Sequence, residues 1–101
     1  MAAAYITEYR AIGTPGPSGH QHQAPKEPAL AQQIVNIAAS STQSSPFNTE
    51  TRLIRVNVDA ICSIAIGVSP TAVVTAQRLS AGQTEFFAVE PGHRIAVIQN
   101  V

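Results

Sequence analysis

The chain has 101 residues, of which 45% are hydrophobic and only 12% are charged. This length allows a single domain with a thin core, which Ala, Val and Ile must fill because there are only two tyrosines, three phenylalanines and no tryptophan. Six Lys and Arg balance six Asp and Glu, which excludes the basic surplus that phosphate recognition requires, so no nucleic-acid partner is expected. A surface poor in charge instead favours protein interfaces, whose centres are depleted in charged groups.

Other classes of partner and chemistry also lack a signal. No apolar run approaches the roughly 18 residues of a membrane helix, and the chain does not open on a signal peptide, so no membrane partner is expected. Cys62 lies in the apolar alternation of residues 60–66, which favours a buried core thiol over a nucleophile. The carboxylates are scattered and form no pair for acid–base work. We therefore predict that the chain is not an enzyme and has no catalytic residue.

Residues 1–47 are predicted to form an extended, mostly irregular N-terminal arm. Five of the seven prolines and three of the six glycines fall within residues 13–49, and both residue types disfavour regular helices and central strands. Two short β-prone runs stand out, at residues 4–9 and 33–38. Each is expected to form a strand that pairs either with its own domain or with a neighbouring subunit.

The apolar side chains of these two runs are the candidate interface residues. Large apolar groups on a segment without its own core must be buried somewhere, in their own domain or against a neighbour. The second alternative makes an interface of Tyr5, Ile6, Tyr9, Ile34, Val35 and Ile37. It also implies that removal of residues 1–12 weakens attachment and leaves the body of the protein folded.

Residues 48–101 are predicted to form the body, a small antiparallel β-sandwich or barrel of four or five strands, so the fold class is all-β. Short β-branched runs separated by turn residues are typical of such folds. The predicted strands span residues 51–58, 61–66, 71–79, 84–89 and 93–101. The pair Pro91-Gly92 suits the centre of a type II turn, which predicts that the last two strands form a hairpin.

His20 and His22 provide the one local spacing that is similar to a metal site. Two imidazoles two residues apart on an extended chain can face one ion, but a closed site needs further ligands. Their Gly and Pro neighbours favour a loop in solvent or at an interface. We therefore expect no metal and no cofactor.

The C-terminal half resembles small virion proteins of tailed bacteriophages. The resemblance is carried by residues 51–56, 64–72 and 86–98, which contain the motifs Ala-x-Gly-x-x-Pro-Thr-Ala and Pro-Gly-x-x-Ile-Ala-Val-Ile. Proteins of this kind decorate or cement the capsid, or lie near the head–tail connection. The resemblance implies a β-sandwich that stabilises or decorates a capsid through subunit contacts and carries over no active-site residue.

The same resemblance implies a setting and partners. The chain would be made in the host cytoplasm and located in the virion, where it would contact the major capsid protein or other virion proteins. A homo-oligomer is also expected. The alternative is a free-standing small binding module that recognises a peptide or carbohydrate through the loops after Gly67, Leu79 and Glu90. Those loops contain no Trp or Tyr, which counts against sugar stacking.

Overall fold

The computed structural model describes residues 2–10, 12–13, 24–25 and 28–100. These residues form β-strands joined by turns and loops and contain no helix, so the predicted all-β class is confirmed. The strands are β1 (Ala3–Tyr9), β2 (Ile12–Gly13), β3 (Ala24–Pro25), β4 (Ala31–Asn36), β5 (Thr42–Gln43), β6 (Leu53–Val58), β7 (Cys62–Gly67), β8 (Gln77–Leu79), β9 (Thr84–Ala88) and β10 (Arg94–Gln99).

The strands form two antiparallel sheets of four strands each and a short ribbon. Sheet I has the order β4-β1-β6-β9, sheet II has the order β5-β10-β7-β8, and β2 pairs with β3. Buried side chains from both sheets belong to one hydrophobic cluster. The predicted antiparallel sandwich is therefore confirmed, and its core lies between the two sheets.

Strand β6 follows the alternation that its sequence predicts. Ile54, Val56 and Val58 are fully buried, whereas Arg55 and Asn57 between them are only partly buried. The side chains of a strand point to opposite faces in turn, so the first three residues fill the core and the other two lie on the outer face of sheet I. The predicted shared face of these three residues is confirmed.

Strand β1 is a central strand of sheet I and lies between β4 and β6. Its residue Ile6 is opposite Gln33 on one side and Val56 on the other. The stretch 1–47 thus contributes β1, β4 and β5 to the two sheets, and the predicted division into an arm and a body at residues 47 and 48 is not the division that the structure has. Both β-prone runs gain backbone partners and core burial by pairing within their own domain.

The turn at residues 90–93 forms, but the hairpin that it predicted does not. His93 donates its N–H to the Glu90 carbonyl at 3.3 Å, and Gly92 has the positive φ of 80° that a type II turn needs. However, β9 pairs with β6 in sheet I and β10 pairs with β7 and β5 in sheet II. The backbone of Phe47 bonds to both Gly92 and His93, so the turn carries the chain from one sheet to the other.

The predicted strand 71–79 is reduced to the three residues of β8. Residues 71–76 instead cross the outer face of sheet II, where the Ala72 N–H donates to the Ser41 hydroxyl at 2.9 Å. The buried hydroxyl of Ser63 and the side-chain amide of Asn100 both donate to the Val74 carbonyl. These side-chain bonds hold the segment as a loop, since they take up backbone groups that strand pairing would need.

The central position of β1 predicts a large effect of Ile6→Ala. Ile6 is 1% exposed, so its truncation should lower the free energy of unfolding by about 3 kcal/mol through lost burial and a residual cavity. Thr7→Ala, the adjacent position on the outer face, is the matched control and should cost less than about 1 kcal/mol. Urea unfolding followed by circular dichroism measures both values, and equal small losses would contradict the central placement.

Removal of residues 1–9 tests the same placement at the level of the fold. Without β1, strand β4 has no partner in sheet I and β6 loses one of its two neighbours. We expect the truncated chain to lose its cooperative thermal transition, in contrast to the folded body that an arm would leave behind. A retained sharp transition near the temperature of the full chain would contradict this.

Candidate contact surface on sheet I

Four of the six candidate interface residues are buried within their own domain. Their exposed fractions are 1% for Ile6, 5% for Tyr9, 3% for Val35 and 6% for Ile37. Alternation explains Ile6 and Val35, which point to the inner face of sheet I, whereas Tyr9 is buried although it has the parity of the exposed Tyr5. This corrects their assignment as interface residues, since they leave no surface for a neighbour.

The other two candidates, Tyr5 and Ile34, lie side by side on the outer face of sheet I. They are opposite each other across the β1–β4 pairing and are 43% and 64% exposed. Directly opposite residues on neighbouring strands have Cβ atoms about 5 Å apart, so the two side chains form one apolar patch. A shallow depression between β1 and β4 borders this patch and includes Thr7 and Gln32.

A second row of the outer face runs parallel to the first. In this row Thr7 lies opposite Gln32 and Arg55, and Arg55 lies opposite Phe86, which is 48% exposed. Tyr, Phe and Arg are the residue types that are enriched at protein interfaces. Sequence reasoning missed Arg55 and Phe86, although the alternation of β6 places Arg55 opposite the core face.

Glu8 is a buried carboxylate that the sequence left without a partner. It is 3% exposed and follows Ala4 and Ile6 on the inner face of β1. One oxygen accepts the backbone N–H of Asn48 and the hydroxyl of Thr51, both at 2.8 Å, and the other accepts the Gln33 amide at 3.0 Å. Three neutral donors thus satisfy a charge that burial alone would make costly.

The Glu8 carboxylate holds the segment that connects the two sheets. At its start Ser44 exchanges hydrogen bonds with Ile95 of β10, and at its end Asn48 and Thr51 donate to Glu8 of β1. Gln33 is fixed as well, because its amide both accepts from and donates to the backbone of Ser45. The arrangement is a structural clamp that sequence reasoning missed, although alternation with Ala4 and Ile6 was a signal that could have placed Glu8 inside.

Cys62 is a core residue, as its sequence environment predicts. It is fully buried, and burial raises the pKa of its thiol, with a further increase from the negative charge of Asp59. A neutral thiol is a poor nucleophile and a good small core residue.

Metal ligands and membrane-spanning helices also bear on function. No cluster of three or more His, Cys, Asp or Glu side chains in the described residues is placed to hold a metal ion, and His20 and His22 lie outside those residues. The part of the chain that the structure describes also has no helix long and apolar enough to cross a membrane. No protein-family profile, curated protein or solved structure matches the chain.

The Glu8 clamp predicts graded losses of stability. Glu8→Ala removes the acceptor of the buried Thr51 hydroxyl and of two partly buried donors, the Asn48 N–H and the Gln33 amide, and should lower the free energy of unfolding by about 3 kcal/mol. Glu8→Gln should cost about 1 to 2 kcal/mol, since its new amide meets the Gln33 amide donor. Glu50→Gln is the control, because Glu50 is exposed in its ion pair with Arg10, and it should change stability by less than about 0.5 kcal/mol. Chemical denaturation gives the three values, and a Glu8→Ala loss no larger than that of the control would refute the clamp.

Burial of Cys62 predicts slow modification and a defined pH dependence. Alkylation of the folded chain should proceed only through unfolding, so urea should accelerate it to the rate of a free thiol. Because the folded thiol has the higher pKa, stability should be unaffected below the thiol's ordinary pKa and should fall as the pH rises above it. The variant Cys62→Ala should lack this contribution of the thiol to the loss of stability at high pH. Rapid alkylation of the folded chain would contradict this account.

Proposed function

We propose that the chain is a non-catalytic structural subunit that acts through contacts with other protein subunits, in the shell or the head–tail region of a tailed-phage virion. The observation that carries the proposal is the exposed pair Tyr5 and Ile34 on the outer face of sheet I. A domain with five aromatic residues leaves two of them, Tyr5 and Phe86, about half exposed, and Tyr5 lies beside an exposed isoleucine. An apolar patch rimmed by polar groups is typical of a surface that a partner covers.

The rest of the outer face supports the same use. Thr7, Gln32 and Asn57 surround the apolar pair, and Arg55 and Phe86 extend it. An interface has this composition when a few apolar anchors lie within a ring of uncharged polar groups. The low share of charged residues in the whole chain is consistent with a surface that other subunits cover.

The virion setting comes from the resemblance of the C-terminal half to tailed-phage proteins. The first motif begins in β7 and continues into the turn that follows it. The second motif begins in the turn before β10 and continues into β10. Strands β7 and β10 are neighbours in sheet II. Ile66 and Ile95 are directly opposite each other in this pairing. The two motifs thus contribute to the framework of sheet II, whereas the other resembling residues, 51–56 and 86–89, lie in or beside β6 and β9 of sheet I.

Purified particles test the proposal. In virions separated on a density gradient from a culture of their host, the chain should be present at a constant ratio to the major capsid protein across the particle peak, as measured by quantitative mass spectrometry. Recovery of the chain only as free protein would overturn the virion setting.

Matched variants test the surface in the same particles. Tyr5→Lys should lower incorporation about tenfold or more, because a charge is placed at the centre of the patch. Val73→Lys is the control, since Val73 is similarly exposed (50%) but lies on the loop over sheet II, and it should incorporate normally. Equal incorporation of the two folded variants would exclude the outer face of sheet I as the contact surface.

A further inference from the structure

Strand β4 is a long edge without the usual protection. It pairs only with β1 and contains six residues, Ala-Gln-Gln-Ile-Val-Asn, with no charge and no proline. Natural edges are protected by short strands, charges, bulges or Pro. The edges of sheet II meet this rule, because β5 has two residues and β8 has three, one of which is Arg78. The other edge of sheet I, β9, contains Glu85. Among the described sheet edges, β4 alone is both long and uncharged.

The register of β1 and β4 shows which backbone groups remain free. Ile37 donates its N–H to the Ala2 carbonyl at 3.0 Å, one step beyond the pair Ala3 and Asn36. Hydrogen-bonded pairs alternate along an antiparallel ladder, so Val35 and Gln33 bond to β1. The N–H and C=O groups of Gln32, Ile34 and Asn36 therefore point away from β1 along the free edge.

We propose that β4 pairs antiparallel with β4 of a second copy of this chain, around a two-fold axis through Ile34, to join two sheets I into one sheet of eight strands. This names a partner for the function proposed above and rests on it for its biological setting. The three outward residues are symmetric about Ile34, so only this register pairs all of them. Gln32 then lies opposite Asn36 of the second copy, and the edge gains about six hydrogen bonds.

The side chains support a second copy as the occupant. Ile34 meets Ile34 of the second copy on the outer face, and Tyr5 flanks it on each side, so the two apolar patches merge into one stripe. No like charges are brought together, because β4 has none. Pairing β9 with its own copy around Phe86 would instead place the carboxylate of Glu85 opposite Phe87 on the inner face.

The two-fold axis also closes the assembly. An isologous contact uses the same edge of both copies, so no free β4 remains for further growth. A dimer presents two copies of the outer face of sheet I to a larger array, which raises its avidity without new contacts.

Charge variants at position 34 test the proposal, because only a two-fold through this residue places it beside its own copy. Light scattering coupled to size-exclusion chromatography should give a wild-type mass that approaches twice that of the chain as concentration rises. Ile34→Lys and Ile34→Glu should each weaken the dimer about tenfold or more, through lost apolar contact and like-charge repulsion. A mixture of the two variants should restore the dimer.

Val73→Lys is the control, since Val73 is also exposed (50%) but lies on the loop over sheet II, and it should dimerise as the wild type does. Circular dichroism and thermal unfolding establish that each variant is folded. A monomeric wild type at all concentrations, or a mixture that stays monomeric, would overturn β4 pairing. If the chain does not dimerise but co-purifies with virions, only the pairing of β4 is refuted and the proposed function stands. If the chain dimerises through β4 but is absent from virions, the virion setting is refuted and the β4 dimer stands.

Discussion

Backbone pairing on both edges of β1 holds sheet I together, because β4 and β6 do not pair with each other. The even residues of β1 face inward, where Ala4 and Ile6 join the core and Glu8 receives the segment that arrives from sheet II. Strand β1 therefore contacts the edge strand β4, the hydrophobic core and the segment that crosses from sheet II to sheet I. The outer face of β1 carries the exposed Tyr5.

This distribution of residues between the two faces of the sheets is the basis of the proposed role in contact rather than catalysis. The inner faces take up many of the aliphatic residues, and Cys62, a potential nucleophile, is buried with them. The buried carboxylate of Glu8 is occupied by three structural donors. The proposed contacts rest on the apolar pair on the outer face of sheet I and on the uncharged edge strand β4, and protein subunits recognise such features through packing and strand pairing.

Sequence alone predicted the β-strands of the C-terminal half well, because their alternation is a local property: Ile54, Val56 and Val58 are buried as expected. It failed where the outcome depends on distant partners. The turn at Pro91-Gly92 formed without the hairpin, since the backbone of Phe47 takes the place of a strand partner. Residues 3–9 were placed in an arm because proline and glycine nearby dominate the composition, while the strand itself contains neither. For the surface, sequence indicated Tyr5 and Ile34 but not which of their apolar neighbours would turn inward.

Amide hydrogen exchange of the chain, free at a concentration at which it is monomeric and in purified virions, tests most directly whether sheet I is the contact surface. The account predicts that residues 31–36 exchange more slowly in the particle, because the outward amides of β4 become bonded or are excluded from solvent. The loops at residues 68–76 and 80–83 should exchange equally in both states. Unchanged exchange at residues 31–36, together with protection gained in those loops, would contradict the account and favour a module that binds its ligand through the loops.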